Sequence, residues 1–234
     1  MVGTATFFTT SGVDVRISGL SKLYKTAAEE VQALSSVDWQ VSKGQAVAIM
    51  GPSGCGKSTL LNLIGGVDRP SAGQILVDGQ DVAKMTERQL EQYRLMRVGF
   101  VFQFYNLIPS ISALENVELP MVMAGIPEAQ CRERALAVLK LVGLDQKAHK
   151  RPEELSGGEQ QRVGISLALA NDPALILADE PTGNLDSHNA DAITDLLVSL
   201  STQYGKTVVM VSHDPKAVAH FPQSFAMRDG RFEA

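Results

Sequence analysis

The sequence predicts an α/β fold: a mostly parallel sheet covered on both faces and interrupted by a helical insertion. Two observations carry this. The runs Val47-Ala48-Ile49-Met50, Leu175-Ile176-Leu177 and Val208-Val209-Met210-Val211 are almost continuously apolar, as strands buried on both faces of a parallel sheet must be. Between Pro109 and Asp172 the texture turns helical, and Ala135, Val138, Leu139 and Val142 recur along one face of the stretch Pro127 to Val142.

Strand-like runs rich in Val, Ile and Phe follow in order at Val13 to Ile17, Val37 to Val41, Gln45 to Met50, Gln74 to Val77, Val98 to Phe102, Ala174 to Ala178 and Thr207 to Ser212. In parallel sheets, ligands gather beyond the strand C-termini. Chemistry is therefore expected where Met50, Ala178 and Ser212 end their strands.

The chain has 234 residues, 44% hydrophobic and 20% charged, enough to bury a substantial core. A formal charge of −5 and the lack of a Lys/Arg run offer no electrostatic footprint for a phosphate backbone, so no nucleic-acid partner is expected. Cys55 and Cys131 are too few for a disulfide framework and fit a reducing, cytoplasmic setting. No apolar run reaches the about 18 residues of a spanning helix, and Met1 to Gly12 lacks the features of a secretion signal. Any membrane role thus needs a separate membrane subunit.

Gly51-Pro52-Ser53-Gly54-Cys55-Gly56-Lys57-Ser58-Thr59 follows one buried strand and opens a helix with Leu60, Leu61 and Ile64 on its apolar side. Glycines let backbone N–H groups converge on phosphate oxygens, and the helix N-terminus adds partial positive charge at the same spot. Lys57 is expected to reach the β and γ phosphates and Ser58 to hold Mg²⁺. This much specifies a nucleoside triphosphate without separating ATP from GTP. Cys55, beside a helix start, is expected to be a reactive thiol shielded by bound MgATP.

Leu175-Ile176-Leu177-Ala178-Asp179-Glu180 puts two carboxylates where a buried strand emerges beside this cradle. Asp179 is expected in the Mg²⁺ shell and Glu180 at the attacking water. His213 ends the third apolar strand; a γ-phosphate contact and a structural hydrogen bond both remain open for it. His149, His188 and His220 read as surface residues.

Leu155-Ser156-Gly157-Gly158-Glu159-Gln160-Gln161-Arg162 precedes a helical run through Leu169. Ser156 and Glu159 form a capping-box pattern, but a cap does not need Gly157 and Gly158, which suggest a second anion site. With one triphosphate already cradled at Lys57, a second site serves a nucleotide on another subunit. A head-to-tail dimer satisfies both.

These stretches resemble the Walker A, Walker B and signature motifs of ABC transporter nucleotide-binding domains, in the family's order, from about Val15 to Arg231. The resemblance implies ATP and Mg²⁺ as ligands, and an ATP sandwich in which Ser156, Gly157 and Gly158 of one subunit close on ATP held at Lys57 of the other. It implies a P-loop core with an antiparallel β part over 13–108 and 173–234, and a helical subdomain over 109–172. Gln103 resembles the glutamine that senses Mg²⁺, water and the membrane subunit. Asp186 resembles the D-loop aspartate, and Tyr24 the aromatic stacked on adenine, with Val31 as a second contact. Phe104, Tyr105 and Leu107 read either as a docking surface for an integral-membrane permease or as ordinary core.

Ile64 to Pro70, Gly99 to Pro109 and Asp179 to Ser187 are similar to the MacB/LolD/FtsE-type ATPases, which implies a cytoplasmic subunit peripheral to the inner face of a membrane. Importer ATPases are the alternative, and soluble ABC ATPases acting on DNA a remoter one, since no long insertion separates Lys57 from Ser156. One departure stands out: Leu167 lies where the family usually has arginine.

Overall fold

The computed structural model describes residues 7–25 and 29–233; the first part of the stretch Met1 to Gly12 lies outside them. An antiparallel sheet comes first in the chain. It contains β1 (Val15–Lys25), β2 (Glu30–Val41), β4 (Ala72–Val77) and β5 (Gln80–Asp81), in the order β2-β1-β4-β5. Val15 and Ile17 of β1 face the core, and the next inward residue is Leu20. The single-residue slip is a β-bulge: the register with β2 shifts between Ile17 and Leu20, and Gly19 adopts φ 56°.

The second sheet holds β3 (Ala46–Met50), β6 (Val98–Phe102), β7 (Leu175–Asp179), β8 (Thr207–Ser212), β9 (Gln223–Arg228) and β10 (Arg231–Phe232). Its order is β10-β9-β3-β8-β7-β6, and all pairs are parallel except β10 with β9. Every residue of β8 is buried, as are the first four of β3 and β7, matching the expected two-faced burial. The sheet thus realises the predicted α/β class. β9 escaped sequence reading because Gln223, Ser224 and Arg228 break its apolar run. The outer halves of β1 and β2 escaped for the same reason: they are polar and half-exposed.

α1 (Lys57–Ile64) lies between the sheets and buries Leu60, Leu61, Leu63 and Ile64 in their common core. The other face of the parallel sheet is covered by α5 (Gly157–Leu169), α6 (Ser187–Tyr204) and α7 (Pro215–Ala219). A third core joins α3 (Ala113–Met123), α4 (Glu128–Leu141) and α5 around Leu114, Val117, Leu139 and Val163. α4 takes the expected span, flanked by Pro127 and Val142. α2 (Glu87–Met96) starts at a capping box on Thr86 and buries Tyr93, whose hydroxyl donates to the Ile64 carbonyl at 2.9 Å.

At the end of the sheet opposite the strand C-termini, Lys206 is fully buried and ion-paired with Asp172. Asp172 Oδ2 accepts from the backbone N–H groups of Thr9 and Thr10 at 2.9 and 2.8 Å. Burial, the largest influence, holds the Lys206 ammonium below its ordinary pKa against the pull of Asp172. Removing the counter-charge leaves a buried cation unpaired. Asp172→Asn, which keeps size and tolerates the left-handed φ of 53° here, is expected to cost roughly 3–5 kcal/mol of stability in denaturant unfolding. A loss under about 1 kcal/mol would show that the pair is not structurally important.

Candidate functional site

Four strand ends build the site. From β3 the chain turns through 51–56 into α1. Gly56, at φ 105°, caps that helix, and a Cβ there would lie 2.4 Å from the Ala33 carbonyl oxygen. Gly51 passes so close to Met227 that a Cβ would come within 2.2 Å of its carbonyl oxygen. Glycine is thus required at both for space, and at Gly56 for conformation as well. The loop and helix start open on a cavity of about 280 Å³, walled by Ser53, Gly54, Lys57, Ser58 and Thr59 with Val31 to Ala33 of β2.

Lys57 is almost fully buried. Its ammonium donates to the carbonyls of Gly51 at 2.7 Å and Pro52 at 3.1 Å, and lies 3.6 Å from Glu180 Oε1. Ser58 Oγ donates to Asp179 Oδ1 at 2.9 Å. Burial, the largest influence, raises the Asp179 pKa above the ordinary aspartate value, and the Ser58 hydrogen bond works against it. A hydroxyl beside a carboxylate is a hard oxygen pair that fits Mg²⁺, which keeps waters and takes phosphate oxygens for its remaining ligands.

Glu180 adopts φ 49°, a left-handed conformation unusual for a non-glycine residue. Its N–H donates to the Val211 carbonyl at 3.0 Å, tying the turn after β7 to the end of β8. One carboxylate oxygen thereby faces Lys57, while the other meets His213 Nδ1 at 2.9 Å and accepts from the His213 backbone N–H at 3.3 Å. Beyond Glu180 opens a second cavity, of about 360 Å³, lined by Ser212, His213, Asp214 and Gly183. Glu180 is the wall the two cavities share.

Gln103 follows β6. Its Nε2 donates to Asn184 Oδ1 at 3.3 Å, and its backbone carbonyl accepts from Asn184 Nδ2 at 3.1 Å. Ser156 caps α5 in the expected capping box with Glu159, and Glu159 pairs with Lys147. Asp186 caps α6, its two carboxylate oxygens accepting from the Asn189 N–H at 3.0 Å and Nδ2 at 2.7 Å. Asn189 in turn sits against Gly158, where a Cβ would lie 2.3 Å from its Oδ1. Lys57, Ser58, Asp179, Glu180 and His213 therefore form one cluster. Ser156 to Gly158 form another with Asp186, and none of the cradle cavity's walls comes from α5.

Several expectations change. Cys55 points into the core between the sheets and not into the cradle: it is buried, and its sulfur lies against Gly51. Val31 lines the cradle cavity, whereas Tyr24 is not among its walls; Tyr24 donates to Asp68 Oδ2 at 2.8 Å and carries the Lys22 ammonium 4.7 Å from its ring centroid. His220 does lie at the surface as expected, with its ring nitrogens meeting the exposed Asp195 at 2.8 Å and Asp191 at 3.3 Å. The two readings of the loop after Gln103 divide by residue. Phe104 is 74% exposed, Tyr105 packs against Gly157 and Gly164 of α5, and Leu107 joins the third core. Leu167 lies in the wall of an apolar cavity of about 190 Å³ with Phe100, Phe102 and Pro120.

Sequence reading gave no role to Asn184 or Asn189. Asn189 carried a signal, standing three residues after Asp186 where a capped helix offers its N–H. Asn184 carried none, because its partner lies 81 residues away.

A strand-to-helix turn that presents backbone N–H groups, a buried lysine and adjoining carboxylates defines the class: nucleotide-binding α/β proteins. The chain belongs to the ABC transporter family, which it matches over residues 34–183. It is 50% identical over 212 residues to an uncharacterized ABC transporter ATP-binding protein of Thermotoga maritima, covering 91% of this chain and 90% of that one. It is 42% identical over 216 residues to the lipoprotein-releasing system ATP-binding protein LolD of Bacteroides fragilis, covering 92% and 98%. The ATP-binding cassette MJ0796, solved as a dimer in a post-hydrolysis state bound to ADP and Pi, superposes with a TM-score of 0.86 at 42% identity, covering 94% of this chain and 97% of that one.

With both thiols buried, thiol reagents should label the native protein slowly and accelerate as denaturant opens the core between the sheets. Fast labelling of Cys55 in the native state, blocked by MgATP, would restore the sulfur to the cradle.

Proposed function

We propose that this chain is the ATP-driven motor of a lipoprotein-releasing or macrolide-exporting type of system, working as a head-to-tail pair beneath a membrane permease. The broader activity follows from family and fold together: the chain is the ATP-binding, ATP-hydrolysing subunit of an ABC transporter. The observation that carries the mechanism is the placement of Glu180 between Lys57 and His213.

In this reading the N–H groups of Gly51 to Thr59 and the Lys57 ammonium bind the β and γ phosphates, exchanging the loop carbonyls that Lys57 now meets for phosphate oxygens. Ser58 and Asp179 would hold Mg²⁺, with Gln103 as a further ligand, and the ion would supply positive charge that offsets the charge of the phosphates. Glu180, pinned at its backbone and at one oxygen, takes the proton of the water that attacks the γ phosphate. His213 holds that carboxylate in place and contacts the γ phosphate across Glu180, the wall that the two cavities share. Val31 offers an apolar contact for adenine, and Tyr24 joins it by turning from Asp68.

Ser156, Gly157 and Gly158 serve a nucleotide held by a second copy, which is why α5 supplies no wall to its own cradle. Asp186, tied through Asn189 to Gly158, stands beside that junction and couples it to α6. The parts 13–108 and 173–234 form the nucleotide-binding core, and 109–172 is the lobe that swings the signature residues. The permease docks where Phe104, Val122 and Met123 expose apolar surface, placing the chain peripherally on the cytoplasmic face of the membrane.

Glu180→Gln should lower steady-state hydrolysis by at least about a hundredfold and accumulate an ATP-bound dimer in size-exclusion chromatography; brisk turnover would reject Glu180 as the base. Phe104→Asp should abolish co-purification with the permease and leave ATP affinity as in the wild type. An intact complex would move the docking surface elsewhere.

A further inference from the structure

Asn184 makes a two-point tie to Gln103: its Nδ2 donates to the Gln103 carbonyl at 3.1 Å, and its Oδ1 accepts from Gln103 Nε2 at 3.3 Å. Chemistry determines the polarity of this tie. A backbone carbonyl only accepts, so the Asn184 atom that faces it is the NH₂ group. The other Asn184 atom is then oxygen, and only the NH₂ of Gln103 can donate to it. Gln103 Oε1 is left as the amide atom without a hydrogen-bond partner among the described residues.

The fold makes the tie possible at two levels. β6 and β7 pair in parallel with Phe102 opposite Asp179, so Gln103 leaves its strand beside the metal-binding carboxylate. The turn after Glu180, closed by Gly183 N–H to the Glu180 carbonyl at 3.1 Å, then brings Asn184 back over Gln103. Gly183 leaves the room required, since a Cβ there would lie 2.8 Å from Gln103 Nε2 and 3.1 Å from its Cδ.

We propose that Asn184 is a positioning residue that orients the Gln103 amide, so that Oε1 and not the NH₂ group is offered to the divalent cation at Ser58 and Asp179. A reversed amide would turn N–H donors toward a cation and repel it. The proposal rests on the reading of Gln103 as a metal contact. Were Asn184 merely a turn residue, metal binding would be indifferent to it.

The test measures binding of a non-hydrolysable ATP analogue to the full chain, with Mn²⁺ and without any divalent cation. The quantity read is the gain in affinity that Mn²⁺ confers. Gln103→Ala should reduce that gain by about fivefold, as expected for one modest hydrogen bond or its equivalent. Asn184→Ala should reduce it by a similar factor, and the double variant no further, because both changes act on the same oxygen. Metal-free affinity should stay at the wild-type value in the two single Asn184 variants, Asn184→Ala and Asn184→Leu. Asn184→Leu, which keeps the bulk of this exposed side chain but can neither donate nor accept, should match Asn184→Ala. If Gln103→Ala keeps the full Mn²⁺ gain, the reading of Gln103 fails. If Gln103→Ala loses the gain while Asn184→Ala and Asn184→Leu retain it, or if the losses simply add, the positioning role is overturned and Gln103 stands.

Discussion

Parallel pairing in register among β3, β8, β7 and β6 sets the positions of the polar groups that make up the candidate site. Met50 lies opposite Ser212, Val211 opposite Asp179, and Asp179 opposite Phe102. These four strands therefore end along one line, on which Asp179 itself lies, and the glycine-rich loop, His213, Glu180 and Gln103 each begin one residue beyond it. A slip of one residue in any pair would turn the strand's buried side chains to the opposite face. Burial on both sides forbids that, so the packing of Val47, Ile49, Leu177 and Val209 is also what aligns the chemistry.

At that edge, local strain and electrostatics act on Glu180 together. Its left-handed backbone is held by the hydrogen bond to Val211, which directs the carboxylate between a buried ammonium and an imidazole. Asp179, one residue earlier, is still in the extended strand and points to Ser58. Two adjacent carboxylates thus acquire different partners because the strand stops between them. Burial disfavours the charge on Asp179, and a bound cation would restore it.

The signature residues belong to a different body of contacts. Ser156 caps a helix whose inner surface packs into the lobe core, and its N-terminal glycines receive Tyr105 and Asn189. Tyr105 comes from the loop after Gln103, and Asn189 from the helix that Asp186 caps. The segment that leaves β6 and the segment that follows Glu180 therefore converge on the same helix start.

Much of this was legible in the residues alone. Apolar runs named the central strands, and the glycine, lysine, serine and paired acids declared phosphate chemistry, because local backbone geometry and charge require those residue types at those spacings. Bulged and polar strands such as β9 and the outer half of β1 left little periodic signal. The direction of the Cys55 side chain could not be read either: its neighbours in sequence belong to the cradle, while its neighbours in space belong to the core. Tyr24 and Val31 are partners across one antiparallel pair, yet only Val31 lines the cavity. The fold class, the glycine-rich turn from strand to helix and the acids at the end of β7 could be read from the residues, since those depend on neighbours along the chain. Tertiary structure alone decided which side chains share a space, as in the tie between Gln103 and Asn184, because parallel strands bring together residues that the sequence keeps far apart.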